Sequence, residues 1–284
     1  MTPATISTSS QSRQVRQGQR FRFGANWRRF LKVLNDERIA EAEKSLCDFL
    51  EADRFDGRTF LDVGCGSGLF SLAARRLGAT VHSFDYDPES VACTQELKER
   101  YFADDDSWTI ATGSVLDHGH IDPLGRFDIV YAWGVLHHTG DMWQALDLVK
   151  NLVKPGGRLF IAIYNDAGDL SRKWLRIKRL YCALPAFLRL PFAVCVWTPI
   201  ELWQFIKFCR IGEPGRYFDQ YREYKKSRGM SRIHDIIDWI GVYPYEFAKA
   251  QDLVSFYTKD GFRLTKLLEN NGYGNHQLVF AKDT

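Results

Sequence analysis

Thr59-Phe60-Leu61-Asp62-Val63-Gly64-Cys65-Gly66-Ser67-Gly68, running on to Phe84-Asp85-Tyr86-Asp87-Pro88, is the stretch that decides the fold. Thr59 to Val63 is an apolar run of strand length, and three glycines follow at alternate positions. Leu69, Phe70, Leu72, Ala73, Ala74 and Leu77 then recur at helical spacing. Gly78 stands where a helix C-cap belongs, and Thr80 to Phe84 reads as a second strand with an acid at its tip. The order is strand, glycine turn, helix, strand.

The residue types carry the chemistry. Glycines without Cβ let a ligand lie against the backbone where a turn becomes a helix N-terminus, whose free N–H groups favour anions. An acid about 20 residues on, at the tip of the next strand, can accept hydrogen bonds from both hydroxyls of a ribose. The unit therefore predicts a nucleoside-containing cofactor. Position 69 is Leu, so the dinucleotide pattern G-x-G-x-x-G is not met; the chain shows G-x-G-x-G, with Asp62 two residues ahead of it.

Asp62-Val63-Gly64-Cys65-Gly66-Ser67-Gly68 with Asp85 downstream resembles motif I and the following acid of class I S-adenosylmethionine-dependent methyltransferases. The resemblance implies an α/β fold: a Rossmann-like, doubly wound, seven-stranded sheet whose last strand pair is antiparallel. It implies S-adenosylmethionine as cofactor, S-adenosylhomocysteine as product and no metal. Asp62, Gly64, Cys65, Gly66, Gly68, Asp85, Tyr86 and, after the fourth strand, Trp133 are the cofactor contacts it points to. Gly113-Ser114-Val115-Leu116-Asp117 resembles the family loop that meets the adenine, where an acid commonly takes the exocyclic amine. Ser114 occupies that place here, so Ser114, the backbone at Val115, or Asp117 is expected to serve.

The other elements follow in order. Residues 1–20 are rich in Ser, Thr, Gln and Arg and read as a tail; the first acid is Asp36, a pattern that also weakly resembles an organellar transit peptide. Residues 21–57 form a helical segment over the cofactor site, with Ile39 to Leu50 as an amphipathic helix. Phe23 and Trp27 are expected either in the wall of the cofactor site or as caps on the core. Pro88 to Tyr101 reads as a helix, Ser107 to Thr112 as a strand, and Phe127 to Ala132 as a buried parallel strand delivering Trp133-Gly134-Val135-Leu136-His137-His138 at its carboxyl end. Trp143 to Val153 reads as a helix, Lys154-Pro155-Gly156-Gly157 as a tight turn, Arg158 to Tyr164 as the fifth strand, Glu246 to Lys259 as the last helix, and Phe262 to Leu268 with His276 to Lys282 as the closing pair. The methyltransferase core thus spans 58–164 and 246–284.

Residues 165–245 exceed the minimal fold and read as a largely helical, aromatic-rich lid. The segment opens with the basic stretch Arg172 to Tyr181, and Leu184 to Phe208 is then apolar but interrupted by Pro185, Pro191 and Pro199, which argues against a spanning helix. Two readings stay open for residues 172–209: a helical cap or homodimer surface, and a peripheral membrane contact.

The chain has 284 residues, a formal net charge of +3 and six cysteines without C-x-x-C spacing. That balance gives no global drive towards nucleic acid. With no secretory signal pattern, reduced thiols and a cytoplasmic location are the expectation. The sulfonium already activates the methyl group, so the enzyme must align a nucleophile and exclude water, and a hydroxyl nucleophile needs a base. His138 is the first candidate for base or acceptor orientation and His137 its neighbour, with His234 and Asp235 on the lid competing. The Val135-Leu136-His137-His138 run resembles that of quinone-biosynthesis and other small-molecule methyltransferases, so a small, hydrophobic or aromatic acceptor is expected, with methylation on oxygen favoured over sulfur, nitrogen or carbon. A non-catalytic protein that binds S-adenosylmethionine or S-adenosylhomocysteine is the second reading, and an RNA methyltransferase the third.

Overall fold

The computed structural model describes residues 23–219, 239–272 and 274–284. Seven strands form one sheet: β1 (Thr59–Val63), β2 (Thr80–Asp85), β3 (Trp108–Thr112), β4 (Phe127–Trp133), β5 (Val153–Tyr164), β6 (Phe262–Leu268) and β7 (Asn275–Lys282). Their order is β3-β2-β1-β4-β5-β7-β6. Strands β1 to β5 pair in parallel, and β7 runs antiparallel to both β5 and β6. The architecture inferred from the sequence is the one observed.

Successive strand residues point to opposite faces, and the sheet separates two cores accordingly. Leu61 and Val63 join Val130, Leu146, Val149 and Leu253 on one face. Phe60 joins Leu46, Leu72, Leu97 and Trp108 on the other. The helices are α1 (Gly24–Leu31), α2 (Asp36–Leu50), α3 (Leu69–Arg76), α4 (Pro88–Phe102), a single turn α5 (His118–Ile121), α6 (Met142–Asn151), α7 (Asp169–Ala183), α8 (Ala186–Arg210) and α9 (Ala250–Thr258). Helix α2 begins earlier than its apolar stripe, because the Asn35 side chain accepts from Arg38 N at 3.1 Å and so caps the first turn. Its Ile39, Leu46 and Leu50 are fully buried, each contributing about 1.5–3 kcal/mol of burial free energy.

Three elements differ from the sequence reading. First, Lys154-Pro155-Gly156-Gly157 lies inside β5 as a bulge: Phe127 pairs with Val153, but Ile129 pairs with Arg158. Helix α6 accordingly ends at Asn151, and Val153 belongs to the strand. Secondly, residues 246–249 precede the last helix. The Glu246 carboxylate is drawn to the N-terminus of α6, where it accepts from Gly140 N at 3.0 Å and Met142 N at 3.1 Å. Thirdly, α8 runs unbroken through Pro191 and Pro199, with Pro185 as its N-cap. Both internal prolines are exposed, so the carbonyls they leave without an intrahelical partner stand on the side open to water. Contrary to the expectation from its prolines, this helix is long and apolar enough to cross a membrane.

The helical insertion is fixed to the core by a small third cluster in which Trp174 of α7, Ala193 of α8, Ile240 and Tyr245 are buried, with Tyr164 packed against them. Lys178 is fully buried there. Its ammonium lies 4.2 Å from the centre of the Trp239 ring and 4.9 Å from that of Tyr245, and it donates to the Trp239 carbonyl. Burial pushes its pKa down to about 7.

Candidate functional site

The strand order reverses between β1 and β4, and in an open α/β sheet ligands bind beyond the carboxyl ends of the strands at such a point. A cavity of about 460 Å³ lies there, reached by the loops after β1, β2, β3 and β4 and by the end of β5. Gly64 N and Cys65 N both donate to Phe84 O, at 2.8 and 3.0 Å, which folds the glycine turn onto β2. Gly66 has φ +56°, and a Cβ there would stand 2.9 Å from Trp27 Nε1. Only glycine lets Trp27 cover the turn so closely.

Asp85 organises the cofactor end. Its Oδ2 accepts from Gly66 N at 3.0 Å and its Oδ1 from Asp87 N at 2.8 Å, and the Tyr86 backbone also donates to it, which still leaves acceptor capacity on the carboxylate for a ligand. Burial pushes its pKa up to about 6. Asp87 in turn caps α4 through Glu89 N and accepts from Gly24 N, each at 2.9 Å, so α1 is tied over the site. Asp62 accepts from Ser71 Oγ at 2.5 Å. The chain continues from Ser71 to Ser83 at 2.7 Å, and Ser83 accepts from Trp108 Nε1 at 2.9 Å. Burial raises the Asp62 pKa to about 7 against the opposing effect of the Ser71 bond.

Of the sequence-predicted cofactor residues, Asp62, Gly64, Cys65, Gly66, Asp85, Tyr86, Ser114, Val115, Trp133 and Trp27 all line the cavity. Gly68 does not; it is the N-cap of α3, with φ +80°. Asp117 is turned away to cap α5, accepting from Gly119 N at 3.0 Å, so Ser114 and Val115 are left on the wall. Trp133 donates from Nε1 to Gln277 Oε1 at 3.1 Å, which fixes it across β7.

His137 and His138 both line the cavity, on a short 3₁₀ turn after β4. His138 Nδ1 lies 2.6 Å from Pro244 O, and its ring centre is 5.2 Å from that of Phe23. His137 bonds to the Ala162 backbone, while its Nδ1 is buried without a hydrogen-bond partner. Burial and the neighbouring His138 hold its pKa well below the ordinary histidine value, so the imidazole is neutral. Glu246 N donates to His137 O at 3.0 Å, which clamps this turn to the segment that leads into α9. His234 and Asp235 lie outside the described residues.

Among the wall side chains that sequence reasoning missed are Tyr131, Tyr164, Tyr243 and Asn275. Tyr131 Oη and Asn275 Oδ1 are buried without partners. Tyr131 had a signal, since a phenol inside the otherwise apolar run of β4 needs a partner for its hydroxyl. A glycine turn that admits a ligand to the backbone, a carboxylate with free lone pairs and an unpartnered phenol fit the cofactor that the motif implies. Among the described residues no group of three or more His, Cys, Asp or Glu side chains is arranged to hold a metal.

A family model described as a methyltransferase domain matches residues 34–278, nearly the whole described fold. The chain belongs to the methyltransferase domain family. Among curated proteins it is 30% identical over 140 residues to a ubiquinone biosynthesis O-methyltransferase of Brucella melitensis, covering 48% of this chain and 54% of that protein. A ubiquinone biosynthesis O-methyltransferase of Caulobacter vibrioides is 34% identical over 113 residues, 39% of this chain and 42% of that protein. The chain thus spans about half the length of the curated relatives it matches. Among solved structures, magnesium protoporphyrin IX methyltransferase from Synechocystis PCC 6803 with bound SAH superposes with a TM-score of 0.51 at 15% identity, covering 99% of this chain and 98% of that one. At that identity the likeness speaks for the fold. The seven-stranded order with its antiparallel last pair is the fold shared with that methyltransferase.

Proposed function

We propose that this chain transfers the methyl group of S-adenosylmethionine to a hydroxyl of a small aromatic or otherwise apolar acceptor. One observation carries the reading: a single cavity joins the glycine turn and Asp85 to an aromatic end walled by Phe23, His137, His138, Tyr164 and Tyr243, and in that wall the buried His137 Nδ1 has no hydrogen-bond partner. The names of the curated relatives, ubiquinone biosynthesis O-methyltransferases, support an oxygen nucleophile on a molecule of that kind.

The cofactor, when bound, supplies an electrophilic methyl carbon next to sulfonium. The chain does the rest. Asp85 takes the ribose hydroxyls, and Ser114 and Val115 border the adenine. The α-amino and α-carboxyl groups fall to the glycine turn and the Tyr131 hydroxyl. Phe23, Tyr164 and Tyr243 hold the acceptor ring and keep water out. Positioning of this kind is worth up to about 7–11 kcal/mol of the barrier. His137 Nδ1 accepts the proton of the attacking hydroxyl as the O–CH₃ bond forms and the S–CH₃ bond breaks, and a neutral thioether leaves. His138, with Nδ1 tied to Pro244, positions the turn.

The test is transfer of labelled methyl to a panel of hydroquinones and catechols. His137→Ala should lower kcat by about 10²–10⁴ with S-adenosylhomocysteine affinity intact, while His138→Gln should cost far less. Because the His137 pKa is depressed, the acid limb of kcat should lie below pH 6.5. Full turnover in His137→Ala, or an acid limb at or above pH 6.5, would remove His137 from this role.

A further inference from the structure

Helix α8 has two unlike faces. Ala193 is buried, and Val196, Trp197 and Ile200 pack against Trp174 of α7. On the other side Phe187, Leu190, Val194, Leu202, Trp203 and Ile206 are exposed, Phe187 at 76% and Trp203 at 63%. A contiguous apolar stripe of this length on a globular surface marks an interaction site. Its rim is basic. Lys207 Nζ lies 5.7 Å over the Trp203 ring, Arg210 follows one turn after Ile206, and Lys173, Arg176 and Arg179 are exposed on α7. No carboxylate pairs with any of those three among the described residues. Both acids of the α7–α8 pair are engaged, Asp169 by Arg172 and Glu201 by Trp197 and Tyr217.

We propose that α7 and α8 form an interfacial surface that docks on an anionic lipid bilayer. Apolar and aromatic side chains would enter the acyl boundary while Lys and Arg meet the lipid phosphates. A crossing is excluded by the path of the chain. The inner face of α8 is packed on α7, and Ile240 returns to the same cluster as Trp174. Between them Glu213, Arg216, Asp219, Arg222, Glu223, Lys225, Lys226 and Arg228 leave no second apolar span to bring the chain back. The helix lies on the membrane. Tyr164 belongs both to this cluster and to the cavity wall, so the inner face of α8 is connected to the acceptor end through that cluster.

The test is flotation of the full chain with vesicles of phosphatidylcholine alone and with about one third phosphatidylglycerol. Wild type should bind the anionic vesicles and much less the neutral ones. Lys173→Gln/Arg176→Gln/Arg179→Gln should weaken anionic binding about a hundredfold, at about fivefold per charge, and Leu202→Glu/Ile206→Glu should abolish it. Unchanged S-adenosylhomocysteine affinity reports that each variant is folded. Equal affinity for both vesicles in wild type and charge variant would overturn the proposal. So would an absence of vesicle binding with a dimer in sedimentation velocity that Leu202→Glu/Ile206→Glu dissolves, which would make the face a contact between two copies of this chain. Vesicle binding is read without substrate, so a failed acceptor assay would leave this proposal standing.

Discussion

Asp62→Asn should make the protein more stable at alkaline pH and hardly more stable at acid pH. The carboxyl is buried, and its pKa is about 7 in the fold against 3.8 for the free side chain. An acid whose folded pKa lies above its unfolded one holds its proton more tightly when folded. Stability therefore falls as pH rises from about 4, and stops falling once pH passes about 7. At about 1.36 kcal/mol per pH unit, the span from 3.8 to 7 costs roughly 4 kcal/mol in all, of which about 3 kcal/mol is lost between pH 5 and pH 8. Asparagine keeps an acceptor for Ser71 and never ionises. The gap between variant and wild type should then widen by about 3 kcal/mol from pH 5 to pH 8 in denaturant titrations. With roughly 2 cal/mol/K of unfolding entropy per residue, a chain of 284 residues should show it as a relative gain of about 5 °C in Tm. Parallel stability curves across that range would refute the placement of an ionisable, desolvated carboxyl beneath the glycine turn.

Lys178→Met should show the reverse dependence. The folded pKa of Lys178 is about 7 against 10.5, so its cost is complete at pH 6 and fades towards pH 10.5; the gain from the substitution should shrink by about 3 kcal/mol between pH 6 and pH 9, and a gap independent of pH would place the ammonium in water. Asp85→Ala should weaken cofactor binding by about 10²–10³, since it removes two hydrogen bonds to a charged acceptor, and in wild type affinity should decline as pH falls through about 6; titration at pH 5 and pH 8 with equal affinity would count against both statements. Gly66→Ala should release Trp27 from the turn, because its Cβ would meet Nε1 at 2.9 Å. The readout is a red-shifted Trp emission with weaker cofactor binding, and an unchanged spectrum would mean that α1 does not cover the turn.

The residues that declared themselves in the sequence are those whose meaning is local. Glycines at 64, 66 and 68 with Asp85 at the next strand tip can be read within one window, because turn, helix and strand periods follow each other directly. The rest of the site is set by contacts between distant segments. His138 and Pro244, and Gly140 and Glu246, are 106 residues apart, and no periodicity reports that one will clamp the other. The two histidines look equivalent in the sequence; packing distinguishes them, by giving Pro244 to one and leaving the other an unpartnered nitrogen. Helix α8 was hidden by its own prolines, whose cost depends on which side of the helix they fall. The bulge at Lys154-Pro155-Gly156-Gly157 was hidden likewise, since a turn and a bulged strand share the same glycines and are told apart by the partner strand.

The most direct measurement is calorimetric titration of the purified chain with S-adenosylmethionine, S-adenosylhomocysteine and NAD. Saturable binding of the first two at one site per chain, lost in Asp85→Ala, with no heat from NAD, is the result predicted. Binding of NAD, or of none of the three, would contradict the assignment of the cavity and every residue role that rests on it.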